Sequence, residues 1–528
     1  MITSVSLIGL TSLTLLATFY LFRRALGTRK DLPLPPGPKG LPIVGNLFDT
    51  PRPGEHEYQH WLKFKDPYGP ISSIKIPGQV IIILNDAKLA MELLRDRSAT
   101  YSSRPSLTYG GKMCGYGNTT GLLAYDDTLK EHRRNITKVV TTMKSRTMID
   151  RVQETETAHF LLNVLDKPEE LFNAIMTEAS SVVLKVVYGY TTSRGKDLLV
   201  DLAERAMSDV SKITLPGKYL VDSLPFLQYF PSWLPGMGWK RRAKDIRLHL
   251  HQSIDQPYQF VRQQMRAKKA KTSYISQAIE AWGTDPKEAE IHRYSALSIY
   301  LAGSETTVSS LQAFFVAMML YPDVQKKAQE ELDRVIGSER LANSTDKNNL
   351  PYIEATVMEV HRWKPILPLS IPHHTSHEDV WHGYRIPKDS TIIPNVWWFT
   401  HDPSVYADPE TFNPDRYITT PTHTAEPDPR AHIFGYGRRI CPGRYVADNA
   451  LFLTIAQALS VFNVEKPVVD GVVIEPEARN SPGLINKPFP YLSSIKPRSK
   501  VHEELIRKSE EVYPWEASDE KELESVKW

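Results

Sequence analysis

The chain has 528 residues, 41% of them hydrophobic and 24% charged, with a formal net charge of +3. That composition supports a sizeable core, and the small net charge argues against a polyanion-binding protein and a nucleic-acid partner. Two cysteines, Cys114 and Cys441, are too few for a disulfide framework, so the body is expected to face a reducing compartment.

From Met1 to Phe22 there is no charged residue, and Arg23, Arg24, Arg29 and Lys30 follow. About 20 apolar residues span a bilayer as a helix, and positive charge behind the span favours a cytosolic C-terminal side. A cleaved signal peptide would carry its basic residues before a shorter apolar run. Residues 1–22 are therefore expected to be a single transmembrane anchor. Residues 23–54 read as a basic, proline-rich linker, stiffened by Pro33, Pro35, Pro36, Pro38 and Pro42.

Ile71–Ile76 and Val80–Leu84 flank Pro77-Gly78 and predict a hairpin. From Asp86 to Arg362 the periodicity is mostly helical, and the longest run is Glu288–Leu320, with Pro322 beyond its end. Short strands are expected around Ile366–Pro372, Val380–Ile386, Thr391–Val396 and Phe489–Pro497, and a helix after Pro442. The body, 55–500, reads as one helix-dominated domain with small β-sheets, and the charge-rich tail, 501–528, as mobile. There are no internal repeats, and the sixteen histidines show no zinc spacing.

The decisive stretch is Phe434-Gly435-Tyr436-Gly437-Arg438-Arg439-Ile440-Cys441-Pro442-Gly443. A thiolate presented to a flat macrocycle needs backbone that approaches the ring without a Cβ, which Gly437 and Gly443 allow. A helix start behind Cys441 would lower the thiol pKa, Pro442 suits its first turn, and Arg439 can neutralise a propionate. A lone cysteine is usually a small buried hydrophobe; the full pattern Phe-x-x-Gly-x-Arg-x-Cys-x-Gly is far more specific. It resembles the haem-binding loop of the cytochrome P450 superfamily.

That resemblance extends along the chain. Ala302-Gly303-Ser304-Glu305-Thr306-Thr307 is similar to the family's distal-helix signature. It implies room for O₂ at Ala302 and Gly303, and protons delivered through Glu305 and Thr306. Glu359-Val360-His361-Arg362 is similar to the Glu-x-x-Arg motif, and Arg416 in Phe412–Tyr417 would complete a structural triad with Glu359 and Arg362. Arg133 stands where a propionate-binding arginine belongs, but Leu129 replaces the usual tryptophan, so Lys130, Arg439 and His373 are expected to share the propionates. Cys114 lies where the first substrate-recognition loop falls. Pro216–Asp222 and Pro231–Gly236 resemble fungal microsomal members of secondary metabolism similar to O-methylsterigmatocystin oxidoreductase.

The resemblance implies a cytochrome P450 fold, with haem b bound through Cys441 as axial ligand to iron. It implies electrons from NADPH through a membrane-bound flavoprotein reductase, with cytochrome b5 as a second donor. The expected setting is the endoplasmic reticulum membrane, single-pass, with a cytosolic catalytic domain, where the Asn-x-Thr triplets at Asn118, Asn135 and Asn343 would not be glycosylated. The expected activity is monooxygenation of a lipophilic small molecule, a terpenoid first and a polyketide or indole second. A haem-thiolate isomerase or dehydratase that uses no O₂, and a non-enzymatic haem sensor, stay open as alternatives; Glu305-Thr306 argues against both.

Overall fold

The computed structural model describes residues 32–526 except 53, 215–217 and 284. The expected anchor, 1–22, lies outside the described residues. Among them one helical stretch, Pro168–Tyr188, is long and apolar enough to cross a membrane, and most of it is buried inside the protein.

The helices of nine residues or more are α1 (Asp127–Thr141), α2 (Met143–Asp166), α3 (Leu171–Tyr188), α4 (Leu198–Ile213), α5 (Gly238–Arg266), α6 (Tyr274–Trp282), α7 (Pro286–Leu320), α8 (Pro322–Val335), α9 (Pro351–Trp363), α10 (Arg444–Val461) and α11 (Lys500–Val512). Helix α7 is the axis of the molecule. Asp285 caps it by accepting from the Lys287 and Glu288 amides, Pro286 opens it, and Pro322 starts α8 one residue after the Tyr321 C-cap. It is enclosed on all sides over most of its length, which is why apolar residues appear on every face. One core packs α2, α3, α7, α8, α9 and α10, with Phe160, Phe314, Phe315 and Phe452 fully buried. A second packs α3, α4, α5 and α7 around Tyr190, Leu250 and Tyr300.

The expected hairpin is β1 (Ile71–Ile76) and β2 (Gln79–Leu84), antiparallel, with Gly78 at positive φ in the turn. Strand β6 (Thr391–Pro394) runs parallel to β2, and β3 (His373–His374) pairs antiparallel with β6, giving the order β1-β2-β6-β3. The strand expected over 366–372 is not formed: only His373 and His374 pair. Ile366–Pro372 instead turns over the end of α9, where proline-rich backbone lacks ladder donors. Likewise β10 is confined to Ser494–Pro497.

The linker and tail are both held. Pro33 O accepts from Arg385 N, and Pro35 O and Pro36 O accept from the Ser73 hydroxyl and amide at 2.6 and 2.8 Å. The tail expected to be mobile forms α11 and the short helix Glu520–Glu524. Trp515 stacks on His159 at 3.8 Å with the Arg194 guanidinium 3.7 Å from its ring, and Leu523 and Val526 are buried in the second core. Charge density suggested solvation, but the charges have fixed partners: Glu516 pairs with Lys185 and Lys271.

Candidate active site

The loop before α10 is built around Cys441. Its amide donates to Phe434 O at 2.7 Å, closing the loop, and the Gly443 N–H donates to the sulfur. Gly437 has φ +49°, and a Cβ there would lie 2.6 Å from Leu94 O and 2.7 Å from Ser98 Cβ, so only glycine fits. Gly443 has φ −87° and is its helix's N-cap; α10 starts at Arg444, so Pro442 precedes the helix instead of occupying its first turn. Burial pushes the Cys441 thiol up, with the Gly443 amide and the Arg133 and Arg444 charges opposing it. A cation bound to the sulfur would favour the thiolate. Among the described residues no group of three or more His, Cys, Asp or Glu could hold a metal ion.

Beside this loop stand three arginines that form no ion pair with a carboxylate among the described residues. Arg439 is buried and donates to Ser102 O, Thr120 O and Leu123 O. Arg133 donates to Ile440 O at 2.9 Å. Arg104 donates to Gly121 O, Ile371 O and Pro372 O. Burial lowers the pKa of all three, and they depress one another: Arg439 falls to about 10, and Arg104 drops with Arg439 and Arg133 as further causes. Buried His373 gives Nδ1 to Tyr101 O at 2.7 Å, and its Nε2 has no hydrogen-bond partner. Clustered guanidinium groups without carboxylate partners call for anions. The two carboxylates of haem b fit that demand.

On α7, Ala302 is exposed and Thr306 half-buried, one turn apart, on a stretch otherwise largely enclosed. Thr306 Oγ1 donates to Ala302 O at 2.7 Å. Glu305 is buried and pairs through Oε1 with Lys487 Nζ at 3.0 Å. Burial raises its pKa and Lys487 opposes that. Glu305 and Thr306 are not hydrogen-bonded to each other.

With this geometry in place, the comparisons decide the family. The profile described as "Cytochrome P450" matches residues 35–493. The chain belongs to the cytochrome P450 family. It is 43% identical to "Cytochrome P450 monooxygenase claR" of Ampulloclitocybe clavipes over 96% of this chain and 92% of that protein. It is also 43% identical to "Cytochrome P450 monooxygenase CLM2" of Gibberella zeae over 92% and 93%. To "O-methylsterigmatocystin oxidoreductase" of Aspergillus flavus it is 38% identical over 92% of each. The chain is thus a cytochrome P450 monooxygenase, with fungal relatives of secondary metabolism.

Several expected residues of this P450 fall elsewhere. Lys130 is exposed, and its ammonium is held 2.8 Å from Asp127 on the first turn of α1, so the structure does not bring it to the arginine cluster. Gly303 does not open the distal space: a Cβ on it would meet Val183 Cγ2 at 2.7 Å, so the glycine lets α7 pack close to α3. Cys114 is fully buried, and burial pushes its thiol up to about 12, which leaves it an unreactive thiol. Arg104 was not singled out from the sequence, because a lone arginine in Ser102–Leu107 carries no motif.

The structural triad is complete. Arg362 donates from Nε and Nη2 to the two Glu359 oxygens at 2.8 Å each, and Arg416 Nε donates to Glu359 Oε1 at 3.2 Å. A surface cleft of about 360 Å³ lies between α1, α6 and the start of α7, lined among others by Lys138, Trp282 and His292. It contains none of the site residues.

Proposed function

We propose that this P450 is an NADPH- and O₂-dependent monooxygenase that hydroxylates or otherwise oxidises a lipophilic small molecule in secondary metabolism, with a terpenoid as substrate. The observation that carries the reading is the single sulfur of Cys441 set beside three arginines, two buried and one half-buried, that form no ion pair with a carboxylate among the described residues. Cys441 would be the axial ligand. Arg439, Arg133, Arg104 and His373 would hold the propionates, and Phe434, Gly437 and Gly443 would shape the loop under the ring. With Nδ1 committed to Tyr101 O, His373 can donate from Nε2 only as imidazolium, which an adjacent anion favours. Bound there, the haem would supply activation of O₂, helped by electron density from the thiolate.

The residues of the chain do the rest. Ala302 leaves space on the distal side. The Thr306 hydroxyl, now turned onto its own helix, can swing to donate there, and Glu305 supplies protons behind it. Apolar side chains favour a dry wall here: partly buried Leu122, Ile366 and Leu367 from loops, and Ile299 from α7 itself, pack against the second core. Such a wall excludes water and suits a lipophile.

Electrons would come from a membrane-bound flavoprotein reductase, with cytochrome b5 as a second donor, at the endoplasmic reticulum. Large apolar side chains exposed in the linker and on the loop before α5 favour membrane contact, Ile43 being 99% and Trp233 78% exposed. Deleting residues 1–30 is expected to release much of the protein from microsomes while the haem site still forms.

The test of the site is spectroscopic. The reduced, CO-bound protein should show the red-shifted Soret band of thiolate ligation, and Cys441→His should abolish it. Persistence of that band in the variant would overturn the assignment. Product analysis with terpene, polyketide and indole substrates decides the substrate class.

A further inference from the structure

Buried Glu305 faces two charged groups among the described residues, and they come from two different elements. Lys487 Nζ lies 3.0 Å from Glu305 Oε1 and 3.6 Å from Glu204 Oε1, and Glu204 belongs to α4. The ammonium therefore bridges a buried carboxylate on α7 and a surface carboxylate on α4. The gradient of exposure runs one way: the Glu305 side chain is 9% exposed, Lys487 30% and Glu204 45%.

Lys487 is held in place by its own loop. Ser481 N donates to Lys487 O at 2.8 Å, Asn486 N donates to Ile366 O at 2.8 Å, and the Asn480 side chain donates to Asn486 O at 3.1 Å. Gly483 in the same loop approaches α4 so closely that a Cβ would lie 2.8 Å from Ser211 Oγ. The lysine is presented from a pinned turn, between α4 and α7.

We propose that Lys487 is a positioning residue that sets the protonation of Glu305 and holds its carboxylate at the solvent side of the distal site. This rests on the monooxygenase reading above. Adjacent residues on an α-helix project about 100° apart, so Glu305 cannot face Lys487 and the Thr306 hydroxyl at once. Paired with Lys487, Glu305 stays where protons enter from water beside Glu204. Protonated, it has lost the charge that binds the ammonium and can turn inward. Insertion of one oxygen atom consumes two protons and two electrons per O₂ and releases one water. Each proton that Glu305 gives up is replaced from solvent, and the carboxylate so regenerated returns to Lys487. A partly exposed pair is weak enough to open and close in this way.

Burial raises the Glu305 pKa, Lys487 lowers it and Glu204 raises it. The two neighbours therefore make opposite demands. In the haem-loaded ferric protein without turnover, the infrared carboxyl band assigned by its loss in Glu305→Gln should titrate at higher pH in Lys487→Met. It should move to lower pH in Glu204→Gln, which leaves Lys487 wholly to Glu305, and stay near wild type in Lys487→Arg. During turnover, product formed per NADPH should fall in Lys487→Met, with an increased solvent isotope effect, and recover in Lys487→Arg. A band that shifts the same way in both single variants, or in neither, would overturn the proposal. If Lys487→Met does not fold, the downward shift in Glu204→Gln still decides it. The titration needs no oxygenation, so a failure here is separable from a failure of the monooxygenase reading, which the CO spectrum tests.

Discussion

Two buried glutamates of this P450 each face a basic side chain, and they are built for opposite purposes. Glu359 accepts from Arg362 twice, from Arg416, from the Asn413 amide and from the Tyr417 hydroxyl, all between 2.8 and 3.2 Å. Arg362 spends its remaining donors on Thr400 O, Pro409 O and Thr411 O. Glu305 has one ion pair, to a lysine that reaches solvent. A buried charge with every lone pair satisfied cannot move without a large loss. One with a single, partly exposed partner can. The first arrangement pins the segment from Pro409 to Tyr417 against α9, and the second leaves a titratable group free to exchange partners.

The largest effect should come from breaking the pinned site. Arg362→Ala removes two of the five hydrogen bonds to buried Glu359 and the donor to Thr400 O, Pro409 O and Thr411 O, and breaking a buried pair of this kind costs about 3–5 kcal/mol. We expect little folded, haem-loaded protein and a lower midpoint in denaturant unfolding of what remains. A variant with wild-type stability and haem content would show that the five hydrogen bonds to Glu359 do not hold the fold, and the contrast would collapse.

At the movable site the fold should survive and the chemistry should not. Thr306→Ala removes one hydroxyl whose only hydrogen bond among the described residues is to its own helix. Substrate binding and the thiolate CO band should persist. Reducing equivalents should be lost as hydrogen peroxide, because general acid–base help of this kind is worth roughly 10²–10⁴ in rate. The measurement is product formed per NADPH consumed; an unchanged ratio would remove Thr306 from proton delivery.

The tail gives a smaller effect. Trp515→Ala removes a ring stacked on His159 and covered by Arg194. Aromatic and cation–π contacts of this kind contribute about 1–2 kcal/mol together. The thermal midpoint should fall and proteolysis should clip the chain after Lys500, with the CO band intact. A tail that stays protected would mean that Leu523 and Val526 hold it unaided.

How much of this was readable from the sequence follows from distance along the chain. The Cys441 loop is contiguous, so its pattern is visible in one line of sequence, although the atoms that make Gly437 necessary, Leu94 O and Ser98 Cβ, are remote in the chain. Glu359 and Arg362 share a helix turn, and Arg416 lies within a recognisable segment. The long helix showed itself by its length and by Pro322 beyond its end, while its start at Asp285-Pro286, just before the expected Glu288, was not read. The other unread features depend on partners remote in sequence. Lys487 meets Glu305 182 positions later. Trp515 needs His159 and Arg194, and Arg104 matters only because folding sets it beside Arg133 and Arg439. The charged tail read as solvated because composition records how many charges there are and not whom they meet. Residues 366–372 read as strand from apolar content, but Pro365, Pro368 and Pro372 deny that segment ladder donors.

The smallest expected effect tests the one site residue that the structure moves away. Lys130 and Arg133 share α1, and both were expected to reach a propionate. Lys130 has a closer option, since Asp127 sits one turn earlier and holds its ammonium at 2.8 Å in the open. Arg133 has no such neighbour; it is half-buried, donates to Ile440 O and feels the Cys441 sulfur. Lys130→Ala should therefore leave haem content, the CO band and the thermal midpoint close to wild type, because an exposed i,i+3 pair holds little. Arg133→Ala should loosen haem, read as faster transfer to apomyoglobin, because it removes a cation from a cluster that otherwise meets two propionates. Equal haem loss from both variants would mean that Lys130 abandons Asp127 once the cofactor is bound. The helix face would then have been a better guide than the local ion pair.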